Sequence, residues 1–259
     1  MHKDKSTDIT PLADIMARLR DREKGCSWDI EQNFKSIAPY TVEEAYEVAD
    51  AIERDDMGAL KDELGDLLLQ VVFHSQMAEE EDKFNLQDVI DNICEKMTRR
   101  HPHIFGDVSA NDAKTVTDNW ENIKAAERGA GTDSSALAGV ALALPALLRA
   151  QKIQKRAART GFDWPDAEGP KAKIIEEIEE VEAANSQEEL ADEIGDLLFA
   201  VVNLARFYSV DAEIALKQAN VKFERRFRAM EAISGSNFVS LSLDQKENLW
   251  QLVKVQEKQ

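Results

Sequence analysis

Leu60-Lys-Asp-Glu-Leu-Gly-Asp-Leu-Leu68 and Leu190-Ala-Asp-Glu-Ile-Gly-Asp-Leu-Leu198 are nearly the same nine residues written twice. Each carries a Glu-x-x-Asp pair, Glu63 with Asp66 and Glu193 with Asp196, and each follows a Glu-x-x-Glu pair, Glu44 with Glu47 and Glu177 with Glu180. Residues three apart share one face of an α-helix. Each copy therefore puts two carboxylates on each of two successive helices, and packing those helices side by side brings four carboxylates together. An oxygen-only donor set of that kind suits Mg²⁺, with Mn²⁺ as a second possibility.

Two like charges about 4 Å apart at an effective dielectric of roughly 20 repel by about 4 kcal/mol. Four clustered carboxylates contain six such pairs, so the folded chain must protonate some of them or bind cations. A single Glu-x-x-Glu is ordinarily a solvated helix face. The position of these acids argues otherwise. Leu190, Ile194, Leu197, Val201 and Leu204 form an apolar stripe of helical period with Glu193 at its border and Asp196 one step round. Ile174, Ile178 and Val181 are flanked by Glu177 and Glu180, while Glu176 and Glu179 point further from the stripe. In the first copy Val48 and Ile52 are bordered by Glu44 and Glu47, and Leu64, Leu67 and Val71 by Glu63 and Asp66. Acids at the edge of a core stripe on both partner helices line a cleft.

The repetition extends outward from the acids. Gly25-Cys-Ser-Trp28 is echoed by Gly161-Phe-Asp-Trp164, Lys96-Met-Thr-Arg99-Arg100 by Lys222-Phe-Glu-Arg225-Arg226, and Trp120-Glu-Asn-Ile-Lys by Trp250-Gln-Leu-Val-Lys. The order is aromatic loop, two acidic helices, basic helix, then tryptophan, twice over. This is a tandem duplication of one helical domain. We place the first domain at 1–128, a linker rich in small and polar residues at 129–140, and the second domain at 141–259. Leu12 to Arg22 and Leu142 to Arg159 read as the opening helices of the two copies. No stretch alternates apolar and polar residues for long enough to propose a sheet, and the fold class is all-α.

Composition narrows the function. A net charge of −18 argues against nucleic acid as a partner, because affinity there rests on basic residues neutralising phosphates. No apolar stretch reaches the roughly 18 residues of a membrane span, and the polar start of the chain does not read as a signal peptide. The two cysteines, Cys26 and Cys94, provide no disulfide framework, and a reducing cytoplasm is expected. Positive charge is concentrated on one helix per copy, at Lys222, Arg225 and Arg226 and at Lys96, Arg99 and Arg100. Lys222 and Arg226, four apart, share a face and could clamp phosphate oxygens. Trp250, and Trp120 in the first copy, could stack a base or belong to the core. His101 and His103 read as a loop or helix cap, and His74 as a packed or solvated residue.

With these residues in view, the chain resembles the MazG family of nucleoside triphosphate pyrophosphohydrolases, within the all-α NTP pyrophosphatase superfamily. The resemblance runs through RLRDREKGCSWDIEQNFKSIAPYTVEEAYEV (18–48), ELGDLLLQVVF (63–73), RRHPHIF (99–105) and AQKIQKRA (150–157). It implies tandem MazG-type domains, four-helix-bundle-like and completed by homodimerisation. It also implies Mg²⁺-dependent cleavage of an NTP or dNTP between its α and β phosphates to NMP and pyrophosphate. Glu177, Glu180, Glu193 and Asp196 are then the metal-binding and catalytic set, activating water for in-line attack, with Lys222, Arg225, Arg226 and Trp250 on the substrate. The resemblance favours the second copy as the catalyst. Glu44, Glu47, Glu63, Asp66, Lys96, Arg100 and Trp120 are secondary candidates. The resemblance departs at Glu189, where the family pattern carries a lysine. The alternative to an enzyme is a catalytically silent nucleotide-binding or helical interaction protein. A di-iron bundle is disfavoured because the chain has no Glu-x-x-His pair. Housekeeping of damaged NTPs and lowering of nucleotide pools under starvation are both compatible with this reading.

Overall fold

The computed structural model describes residues 8–106 and 135–257, together with residues 112, 115–116, 119–120, 123–124, 127 and 133 between them. Every regular element among these residues is helical. The chain divides into two compact units, Met1–Lys124 and Ala125–Gln259. Much of the linker expected at 129–140 lies outside the described residues, and Ala136–Gly139 form a turn.

The first unit runs α1 (Thr10–Leu19), α2 (Ser27–Glu31), α3 (Phe34–Glu53), α4 (Met57–Glu80), α5 (Leu86–Arg100) and the short α6 (Pro102–Phe105). The second runs α7 (Ala146–Ala158), α8 (Glu168–Ala183), α9 (Gln187–Phe207), α10 (Ala212–Ser234), a 3₁₀ turn at Gly235–Ser240 and α11 (Leu243–Gln256). Polar caps set the starts. Asn33 and Asn85 close capping boxes with Ser36 and Asp88 at α3 and α5, and Asp56, Ser186 and Asp211 cap α4, α9 and α10. The opening helices are shorter than the sequence suggests. Pro145 holds extended backbone at the N-cap of α7 and keeps residues 142–145 out of it, and α1 stops at Leu19, where the chain turns toward Gly25.

The two units repeat one packing plan. The helices bearing Glu-x-x-Asp, α4 and α9, form hairpins with α3 and α8, and the opening helices α1 and α7 pack against them. The following helices α5 and α10 also touch them. The first core is Met16, Ile37, Val72, Phe73 and Met77, flanked by Leu12, Phe34, Leu69 and Leu86. The second unit buries Ala200, Val202, Met230 and Val253.

The apolar stripes beside the acids are less buried than their periodicity suggests. Ile52, Leu64 and Val71 in the first unit, and Ile178, Ile194 and Val201 in the second, are all more than a third exposed. The reason is coverage. Cover from α1 and α5 lands on Val72, Phe73 and Met77, and the acid-bearing face of the hairpin keeps its apolar residues open.

The aromatic loops ahead of the hairpins depend on glycine for different reasons. A Cβ on Gly25 would stand 2.4 Å from the Leu19 carbonyl oxygen, whereas Gly161 adopts φ +88°. Arg20 ties the first loop to the hairpin by donating to the Asp29 and Gln32 carbonyls and pairing with Glu80 at 2.7 Å. Arg206 does the same for the second loop through Asp163.

Met16 is 1 % exposed at the centre of the first core. Met16→Ala should lower the unfolding free energy by about 3 kcal/mol in denaturant titration, because the four surrounding side chains belong to two long helices whose packing keeps them from closing on the void.

Candidate metal centre

The second hairpin brings three of its four expected acids into one group. Ser186 Oγ accepts from the Glu189 N–H at 3.1 Å and Glu189 Oε2 accepts from the Asn185 N–H at 2.8 Å, which closes the turn between α8 and α9. Glu189, the point of departure from the family pattern, therefore serves the helix start. Beyond that turn, ligand oxygens of Glu177, Glu180 and Glu193 lie within 4.8 Å of one another. Asp196 is outside this triad but close enough to act on Glu193 electrostatically. Burial, then the charges of Glu180, Glu177, Asp192 and Asp196, push the Glu193 carboxyl above its ordinary range.

Glu177 is 1 % exposed, a depth that periodicity did not indicate. Its Oε1 accepts a 2.6 Å ion pair from Lys173, and its buried Oε2 has no hydrogen-bond partner. Lys173 also reaches Glu176 at 2.7 Å and Glu180 at 3.9 Å. Hydrogen bonds to Glu176 and Glu177 raise the lysine's pKa, so it stays protonated throughout the physiological range. Sequence reasoning passed over Lys173, although its position four residues before Glu177 on one helix was a readable signal. A buried carboxylate oxygen left without a donor, inside an all-oxygen set, fits a hard divalent cation.

The first copy builds the same acids in a different setting. Glu44, Glu63 and Asp66 offer oxygens within 4.8 Å of one another, and Glu47 lies close enough to act on Glu44. Burial first, then neighbouring acids, raises both Glu44 and Glu63. The position matching Lys173 is Tyr40, whose ring meets Trp28 edge-on at 6.2 Å. No lysine enters this triad from the fourth position before Glu44.

The basic helices form groups of their own. Arg225 and Arg226 share Glu257, at 2.8 and 2.7 Å. The Arg226 guanidinium lies 5.5 Å over the Trp250 ring, which also meets Phe223 at 5.5 Å. Lys222 is exposed on the same helix. In the first copy Arg100 lies 5.6 Å over Trp120, with Lys96 and Arg99 on the same helix. Trp120 also meets His101 at 4.7 Å. His101 is the cap residue between α5 and α6. His74 packs on Phe34 and reaches Thr41 Oγ1 at 3.1 Å, its pKa lowered by burial. Cys26 and Cys94 are free and exposed.

Comparison with known proteins agrees with this geometry. The family pattern described as the MazG nucleotide pyrophosphohydrolase domain matches residues 32–105 and 167–230, one segment in each copy. A nucleoside triphosphate pyrophosphohydrolase of Escherichia coli (strain K12) is 52% identical over 257 residues, covering 96% of this chain and 98% of that protein. A nucleoside triphosphate pyrophosphohydrolase/pyrophosphatase MazG of Thermotoga maritima is 44% identical over 246 residues, covering 94% of each. A nucleoside triphosphate pyrophosphohydrolase of Mycobacterium tuberculosis is 34% identical over 153 residues, covering 58% of this chain and 46% of that protein.

Glu44, Glu63 and Glu193 hold their protons more tightly in the folded protein than in the unfolded chain. Their contribution to stability is therefore largest in acid and is lost as pH rises through the carboxylate range. A divalent cation removes the repulsion that causes this loss. The rise in melting temperature produced by Mg²⁺ should be larger at pH 7.5 than at pH 4.5, measured by calorimetry on metal-free protein. Equal shifts at the two pH values would contradict the assignment.

Proposed function

The chain belongs to the MazG nucleotide pyrophosphohydrolase family, and from that premise we infer that it hydrolyses nucleoside triphosphates between the α and β phosphates, releasing a monophosphate and pyrophosphate. The observation that carries this reading is the buried, half-partnered Glu177 within the triad of Glu177, Glu180 and Glu193. Glu177 through Oε2, with Glu180, Glu193 and Asp196, would hold Mg²⁺. When bound, the ion supplies the Lewis-acid charge that lets a polyphosphate approach four carboxylates.

The chain's own groups divide the remaining work. Glu193, within the triad, would take the proton of the water that attacks the α-phosphorus. Lys173 holds Glu177 in place, and its ammonium can also turn to a phosphate oxygen. Lys222, Arg225 and Arg226 are the cations for the leaving pyrophosphate, with Glu257 as the counter-ion that phosphate would displace. Trp250 lies against Arg226 and, tilted, against Phe223, and would keep that guanidinium oriented. The second copy is the better catalyst on this reading, because it alone has a lysine four residues before its buried glutamate. Glu44, Glu47, Glu63, Asp66, Lys96, Arg100 and Trp120 form a secondary site. The substrates are nucleotides of the cytoplasm, and the role is removal of damaged NTPs or reduction of nucleotide pools.

A second copy of the chain would complete the bundle. Ile175, Ile178, Ile194, Leu198 and Val201 are each more than 40% exposed on the acid-bearing hairpin. A contiguous apolar face of this kind is unusual on a monomer, and pairing it with its own image across a two-fold axis gives four helices around one core. The double variant Ile178→Glu, Ile194→Glu should sediment as a monomer where the parent sediments as a dimer. A parent that is itself monomeric at micromolar concentration would exclude this assembly.

Glu193→Gln should reduce Mg²⁺-dependent pyrophosphate release at least about a hundredfold, read by an assay coupled to inorganic pyrophosphatase. Glu63→Gln, its first-copy counterpart, should leave most of the rate. Monophosphate and pyrophosphate are the expected products by chromatography, and diphosphate with orthophosphate would refute the reaction.

A further inference from the structure

The Lys173 ammonium stands among three carboxylates at once, 2.6 Å from Glu177 Oε1, 2.7 Å from Glu176 Oε1 and 3.9 Å from Glu180 Oε2. Two of these residues, Glu177 and Glu180, belong to the triad. We propose that Lys173 is a built-in competitor of the divalent cation, which keeps the free protein's affinity for metal low so that metal and nucleoside triphosphate bind as a pair. The inference rests on the reading of the acids as a metal centre, and it gives Lys173 a role before substrate arrives.

Charge decides the competition. A divalent cation held by Glu177, Glu180 and Glu193 would share its ligands with a positive charge already in contact with one of them. A unit charge a few ångströms away weakens the binding of such an ion about tenfold even at the dielectric of water. The lysine is nonetheless needed. Glu177 is 1 % exposed, and a carboxylate at that depth without a partner is destabilising. Its Oε1 has the ammonium while its Oε2 has no hydrogen-bond partner, so one oxygen serves the lysine and the other is left to the cation.

Glu176 makes the lysine movable. It is exposed, it follows Lys173 by one turn of α8, and it already holds the ammonium. Lys173 can therefore draw back from the triad without losing a partner, and an exposed pair of this kind contributes little stability of its own. The triphosphate supplies the counterpart. Its negative charge restores what the lysine cancels, so the cation binds more tightly beside it and, by reciprocity, tightens the nucleotide in turn. In the first copy Tyr40, not a lysine, stands at the matching position, so the device belongs to the second copy.

Mn²⁺ is titrated calorimetrically into the full chain without nucleotide, in a Glu63→Gln background that disables the first-copy acids. Lys173→Met should bind Mn²⁺ about tenfold more tightly than the parent, and Lys173→Arg, which keeps the charge, should bind as the parent does. Adding adenosine 5′-(α,β-imido)triphosphate, which resists cleavage, should tighten Mn²⁺ in the parent and less so in Lys173→Met. Glu176→Gln alters an exposed residue and keeps the fold. It leaves the ammonium to Glu177 and Glu180 and should weaken Mn²⁺ binding about threefold. Glu179→Gln removes the same charge from an exposed position of α8 without touching a partner of Lys173, and should change it by less. Lys173→Met that binds no more tightly than the parent overturns the inference, as does Glu176→Gln that binds no more weakly than Glu179→Gln. The two glutamine variants decide alone if Lys173→Met does not fold. A parent and variants that take up no Mn²⁺, with or without the analogue, overturn the inference together with the metal reading.

Discussion

Like charges held together on two packed helices are the constraint on which this molecule is organised. The spacing of Glu177, Glu180 and Glu193 brings them into one group once α8 and α9 form a hairpin, with Asp196 beside it, and the Ser186 and Glu189 turn closes that hairpin. The charges are then handled unevenly. Lys173 neutralises one oxygen of Glu177, the other is left buried without a donor, and Glu193 resists ionisation. A site in this condition is prepared for a cation, because the work of gathering the carboxylates is done by helix packing before any ion arrives.

The duplication supplies an internal control for which surroundings matter. Both copies keep the acids, the polar caps of the Glu-x-x-Asp helix and of the helix after it, and the packing of an opening helix on the hairpin. They differ in what stands next to the acids. Tyr40 occupies the place of Lys173. That difference replaces a cation of the second copy with an aromatic side chain, so the first copy reads as a scaffold that retained its acids. The same hairpins carry apolar residues that stay more than a third exposed among the described residues. The acid site and the open apolar face lie on shared helices, so the assembly proposed above would act on the same helices as the acids.

Much of this was legible in the sequence. The three-residue spacing of acids, the helical period of Leu190 to Leu204 and the repeated tryptophan loops specify helices, their pairing and the duplication, because each is a local property of an α-helix or a turn. Lys173 was equally local, four residues before Glu177, but a lysine on a charged helix has many possible partners and only packing chooses among them. The depth of Glu177 was not legible at all, because the burial of its Oε2 depends on how α8 packs against its neighbours, which no periodicity encodes.

The sequence by itself determined that the chain is a doubled all-α protein with two carboxylate tetrads, since helical spacing alone brings those acids to one face. Only the tertiary structure decided how deeply each acid is placed, which oxygen is left without a partner, and where the stripes stay open. Burial depends on which helix covers which face, and that is settled by the whole set of contacts around α4 and α9, not by the residues of one segment.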